Sequence, residues 1–139
     1  HNMSVEITEV RNARYITPDG HIDMEINHPE FGWIEYTLSP DDPDTTIDNA
    51  VLMSLAENLP NGITPLDQAA WDERVGLYAK MNREAALREL VDPLVTNPLR
   101  WEGLTAEKQQ EWRDFRQALL DITDQEGYPH NIVWPTQPE

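Results

Sequence analysis

Two short alternating runs constrain this chain more than anything else in it. From His21 to Asn27, Ile22, Met24 and Ile26 fall on one side and Asp23 and Glu25 on the other; from Trp33 to Leu38, Ile34, Tyr36 and Leu38 repeat the pattern. A period of two with one polar side is the signature of a half-buried strand with a wet face. Pro29 and Gly32 bracket a turn between the runs, with Phe31 placed to pack over it, and Pro18-Asp19-Gly20 supplies an earlier turn because glycine takes the positive φ that such turns need. Val5, Ile7 and Val10, continued loosely to Tyr15 and Ile16, open a further strand. The expectation is an antiparallel meander of about three strands.

After Leu38 the period changes. A loop rich in Pro and Asp runs from Ser39 to Thr46. Its acids Asp41, Asp42, Asp44 and Asp48 invite a calcium reading, but counting from Asp42 puts Ile47 and Met53 where an EF-hand loop needs its Gly and Glu, so no metal is expected. Thr46 or Thr45 is instead expected to cap a short helix through Leu55, with the aspartates complementing its N-terminus, and Asn61-Gly62 closes the unit. Thr64-Pro65 is expected to start the next helix, where proline in the first turn sacrifices no hydrogen bond. Leu66 to Val91 reads as helix, about 40 Å long at 1.5 Å per residue, with Gly76 as its weak point. Trp71, Val75, Tyr78, Ala85 and Ala86 make an apolar stripe, broadened by Leu77, Met81 and Leu90, which serves either core packing or a partner surface. Asp92-Pro93 is expected to break the helix, and a proline-containing segment to Gly103 leads on.

The final helix is the best marked. Thr105 is a good N-cap, Glu107 sits near the positive end of the dipole, and Trp112, Phe115, Leu119 and Ile122 recur in steps of three and four. Gly127 and Pro129 stop it, and a short extended tail follows with Tyr128, Ile132, Val133 and Trp134 before Pro135. The fold class is therefore α+β: a small antiparallel sheet with a short helix, then a helical hairpin and an extended C-terminal tail. Residues 3–62 form the first division and 63–139 the second.

Charge narrows the functional classes. The 139 residues carry a formal net charge of −16. Residues 1–62 hold 12 acids and 2 bases, a net −10, and the longer remainder holds 14 and 8, a net −6. Such a surface repels a phosphate backbone, which argues against nucleic acid as a direct ligand, while solubility and a basic partner are favoured. Cysteine is absent, which removes disulfides and thiolate chemistry and fits a reducing compartment. No apolar run approaches the roughly 18 residues of a membrane span. Val5 to Glu9 is acidic and alternating, unlike a secretory leader. His1-Asn2 before Met3 reads as a tag remnant, with Met3 as the expected native start.

Catalytic patterns are missing: no glycine-rich phosphate loop, nucleophile elbow, His-Glu-x-x-His or cysteine ligand set. His21, His28 and His130 lie in or beside turns, far apart, and read as exposed bystanders. The many carboxylates make any acid/base pair easy to imagine without marking one. No catalytic residue, cofactor or metal is expected, and the chain is not read as an enzyme.

The C-terminal segment resembles the C-terminal motif of the phage tail assembly chaperone family, also described as tail fibre assembly-like proteins. The matching residues are Trp112, Phe115, Arg116, Gln117, Ala118, Leu119, Asp121, Gly127, Tyr128, Pro129, Trp134 and Pro135, over roughly the last quarter of the chain. Leu120 stands where the family usually has Arg, and Asn97-Pro98-Leu99-Arg100-Trp101 replaces its Ser-Asp-Trp-Thr-like element. His28 to Ile34 more loosely resembles N-terminal segments of other small phage tail-gene products. The resemblance implies a non-catalytic chaperone or assembly factor in the host bacterial cytoplasm, with a phage tail or tail fibre protein as partner, no membrane, and a homo-oligomer left open. Such a protein must hold an aggregation-prone partner, which a charged body with aromatic anchors suits. Trp101, Tyr128 and Trp134 are the candidate anchors; the alternative is that Tyr128 and Trp134 only fold the tail back over the helices. Two rival functions remain: a structural component of the tail, and an acidic decoy of a nucleic-acid-binding protein.

Overall fold

The computed structural model of the chain describes residues 5–42 and 46–139. The expectations for His1-Asn2 and Met3, and those for Asp44 and Thr45, lie outside the described residues. The chain divides into two compact units, one running through Trp71 and the other Asp72–Glu139.

The first unit is the expected meander. Strands β1 (Val10–Tyr15), β2 (Ile22–His28) and β3 (Gly32–Leu38) pair antiparallel in the order β1-β2-β3. The alternation sorts the sheet as read: Ile22, Met24 and Ile26 of β2 are buried, and they form a core with Ile7, Val10, Ala13 and Leu38 and with Leu52 and Ala56 of helix α1 (Asn49–Glu57). On the wet face Glu25 accepts from Arg11 at 3.0 Å and from Asn12, while Asp23 accepts from Thr37 at 2.6 Å. The β1–β2 ladder shifts between Arg11 and Arg14, where Asn12 takes φ 56°, a left-handed conformation that asparagine tolerates better than most residues.

Histidine is not a bystander here. His28 Nδ1 accepts from the backbone N–H of Glu30 at 3.0 Å and of Phe31 at 3.3 Å, locking the β2–β3 turn. His21 Nδ1 lies 2.9 Å from Asp19 in the β1–β2 turn.

Two helix starts differ from expectation. Asp48, not Thr46, caps α1, accepting from Ala50 N–H at 3.0 Å, and the helix continues past Leu55 to Glu57. Thr64 starts no helix; its backbone is paired with β1, through Tyr15 N–H at 2.9 Å and Ala13 C=O at 2.9 Å. Helix α2 (Gln68–Ala86) begins later, with the Asp67 carboxylate accepting from Ala70 N–H at 3.1 Å. In each case a nearby aspartate supplies the cap, an acceptor favoured over threonine at that position.

Leu66 to Val91 is not one regular helix, and Asp92-Pro93 does not break it. A π-helical stretch, Leu87–Val91, follows α2 and leads straight into α3 (Asp92–Val95). Pro93 has no N–H, and its ring would press on the carbonyl four residues back; the widened turn just before it, with Asp92 N–H donating to Leu87 C=O, accommodates both. The expected stripe divides too. Gly76 and Ala79 are the buried residues of α2, whereas Leu77, Tyr78 and Met81 are each more than half exposed.

Helices α4 (Pro98–Glu102) and α5 (Ala106–Leu120) complete the second unit. Thr105 caps α5 as read, accepting from Lys108 N–H at 3.1 Å. Trp112, Phe115 and Leu119 are buried with Val91 and Leu94, and Ala86, Leu87, Val95, Trp101 and Leu104 pack around them. The terminal stripe therefore meets the last turns of the helical arm and α3. The Trp112 and Phe115 rings meet edge to face, centroids 5.7 Å apart.

Candidate functional site

The candidate site is the C-terminal segment, which the second unit holds at several points. Helix α5 ends at Leu120, earlier than Gly127, and a 3-10 turn, Asp121–Asp124, carries the chain off its axis. Gly127 belongs to the turn beyond: its C=O accepts from Asn131 N–H at 2.7 Å, and a Cβ at Gly127 would lie 2.3 Å from the Asn131 carbonyl oxygen. Only glycine fits that approach. The Tyr128-Pro129 peptide is cis.

Tyr128 then lies across α2. Its hydroxyl is 3.5 Å from the Gly76 carbonyl, and a Cβ at Gly76 would come within 2.8 Å of the phenolic oxygen. Glycine inside α2 is thus the place where the tail approaches, which is what an isolated glycine in a helical pattern signals. Two residues on, His130 Nε2 meets the Asp72 carboxylate at 2.5 Å. A groove of about 370 Å³ opens here, lined by Asp72, Glu73, Gly76, Leu77, Lys80, Tyr128 and Pro129.

Further along, the Gln125 side chain treats Val133 as a strand neighbour would: its amide donates to Val133 C=O and accepts from Val133 N–H, both at 2.8 Å. The last residues, Pro135 to Glu139, border α5 beside Lys108, Glu111 and Phe115. The ammonium of Lys108 is held above its ordinary range by its 2.9 Å bond to Glu111, helped by the charges of Glu139 and Glu107.

The three candidate anchors sit differently. Trp101 is half-buried against the Trp112 cluster, with the Arg113 guanidinium 5.4 Å from its ring centroid. Tyr128 is half-buried over Gly76. Trp134 is 40% exposed and follows Val133, which is 79% exposed. The structure therefore brings Tyr128 and Trp134 onto one clasped segment and leaves Trp101 in the helical cluster. Sequence reasoning missed Gln125 and Asp72, whose roles depend on partners 8 and 58 residues away.

Among the described residues no group of three His, Cys, Asp or Glu side chains is arranged to hold a metal ion, and no helix is long and apolar enough to cross a membrane.

Comparison with known proteins bears on this segment. Residues 80–139 match the family model for phage tail assembly chaperone proteins, which bears out the family resemblance over that part of the chain. No curated protein and no solved structure matches the chain.

Proposed function

We propose that this chain is a non-catalytic assembly chaperone that holds a phage tail or tail fibre protein in the host cytoplasm, gripping it through the C-terminal segment. The family match over residues 80–139 carries this reading. The segment's geometry supports it. Tyr128, His130 and the Gln125–Val133 pair hold the backbone in place, so Val133 and Trp134 are presented with little ordering entropy left to lose on binding. An aromatic anchor of that kind can contribute much of the contact energy. Trp101, bound up in the helical cluster, serves the same surface by supporting it.

The test compares Trp134→Ala and deletion of residues 128–139 in the full chain, with capture of purified tail and tail fibre proteins measured beside circular dichroism melts. Trp134→Ala should weaken capture at least tenfold with an unchanged melt. The deletion should abolish capture and lower stability, because it removes the clasp on Gly76. Full capture by the deleted chain refutes the reading. Retention at fixed stoichiometry in purified virions would favour a structural tail component instead.

A further inference from the structure

The family match leaves residues 1–79 without a role, and that part of the chain presents an unpaired sheet edge. In the order β1-β2-β3, strand β3 lies at the border. Beyond β1 the chain supplies partial cover, through the Arg14–Thr64 bridge. Beyond β3, among the described residues, no strand pairs. Natural edges are usually blunted by short length, a bulge, proline or lysine. β3 has no bulge, proline or lysine, and its one charged residue is Glu35: all seven residues, Gly32 to Leu38, pair with β2 in unbroken register.

Side chains around this edge are also incomplete. On the core face Met24 and Ile26 of β2 are buried, but Tyr36 and Ile34, their partners on β3, are only half covered. Phe31 is 69% exposed at the tip of the β2–β3 turn, and Trp33, within β3, is 36% exposed with the Arg11 guanidinium 4.1 Å from its ring centroid. On the wet face Glu35 stands directly opposite Glu25. Like charges in that relation oppose pairing. Glu25 is compensated by Arg11 and Asn12, whereas among the described residues no cation pairs with Glu35.

We propose that the β3 edge receives an extended segment of a partner protein, added as a fourth strand, with a lysine or arginine opposite Glu35 and apolar residues closing over Ile34 and Tyr36. Backbone hydrogen bonds give such an addition its affinity, and alternate side chains give it selectivity. The charge argues for a different protein rather than a second copy. Antiparallel pairing of β3 with itself over all seven residues centres on Glu35 and sets two carboxylates across from each other, between chains that each carry −16. The edge belongs to the first unit and the C-terminal tail to the second, so the charge reversal at Glu35 and the tail deletion test different elements.

The probe is a synthetic seven-residue peptide alternating valine with lysine, compared with one alternating valine with glutamate, each titrated into the full chain. Amide hydrogen exchange is read along β3. The lysine peptide should slow exchange within Gly32–Leu38 and bind at least tenfold tighter than the glutamate peptide. Glu35→Lys should reverse that preference. Glu57→Lys, an equal charge change at the exposed end of α1, should not, which separates a site from attraction to a polyanion. Equal effects of the two charge reversals, or no protection of β3 by the lysine peptide, overturns the proposal. So does concentration-dependent protection of β3 without peptide, which would make the occupant a second copy.

Discussion

Gly76 and Tyr128 offer a measurement that separates a seated tail from a loose one. Alanine is better than glycine in a helix interior by about 0.8–1 kcal/mol, so Gly76→Ala in a free helix would stabilise by about that much. Here the new methyl meets the Tyr128 hydroxyl at 2.8 Å, and the phenol must retreat by about 0.6 Å to reach ordinary contact near 3.4 Å. Overpacking of this kind costs about 1–3 kcal/mol. The single variant should therefore range from neutral to about 2 kcal/mol less stable. Tyr128→Phe removes the oxygen and with it a long 3.5 Å hydrogen bond, a loss of about 0.5 kcal/mol. In that background the nearest ring carbon is 3.5 Å from the new methyl, an ordinary contact, so Gly76→Ala should now stabilise by about 1 kcal/mol. The double-mutant cycle should thus return a coupling of about 1–3 kcal/mol, read from denaturant unfolding followed by circular dichroism. If Gly76→Ala stabilises equally in both backgrounds, Tyr128 does not rest on α2 in solution and the clasp is wrong.

Trp112→Ala removes an 8%-exposed ring from the helical cluster and should cost about 3–5 kcal/mol in a denaturant melt, with an unchanged midpoint counting against that core. The Glu25 carboxyl is held below its ordinary 4.5, first by Asn12 and then by Arg11, so its contribution is complete above that value and is lost as pH falls through the lower folded value. An acid titration of Asn12→Ala should accordingly lose stability at higher pH than the parent. Calcium should leave the melting temperature unchanged; a rise that vanishes in Asp42→Asn would establish a metal site in the 39–48 loop.

The parts legible in the sequence are those fixed by neighbours in the chain. Ile22, Met24 and Ile26 alternate because a strand alternates, and Thr105 caps α5 because its hydroxyl reaches a backbone three residues away. The helix starts misread at Thr46 and Thr64 are cases where several good caps compete within a few residues. Between Thr46 and Asp48 the local preference for aspartate is small, and it is the one the structure follows. The π stretch before Pro93 was unreadable because proline can end a helix or bend the chain into another turn, and packing of Val91 and Leu94 chooses. Tyr128 on Gly76 spans 52 residues, and the only local trace was the glycine itself.

Open edges and exposed aromatics raise the question of why such a chain would not aggregate. The net charge of −16 is the obvious answer and an incomplete one. At physiological ionic strength the Debye length is about 8 Å, so a charge farther than that from the edge of β3 is largely screened from a copy approaching it. What remains unscreened is what lies on the edge, and Glu35 stands at the middle of its seven residues. One carboxylate placed there opposes self-pairing in the symmetric register and at the same time attracts a cation from a different strand. The same residue thus serves solubility and selectivity, because specificity needs a repulsive element as much as an attractive one. Glu35→Gln should therefore loosen selection between the lysine and glutamate peptides while making the protein more prone to associate with itself. A variant showing one effect without the other would separate the two roles.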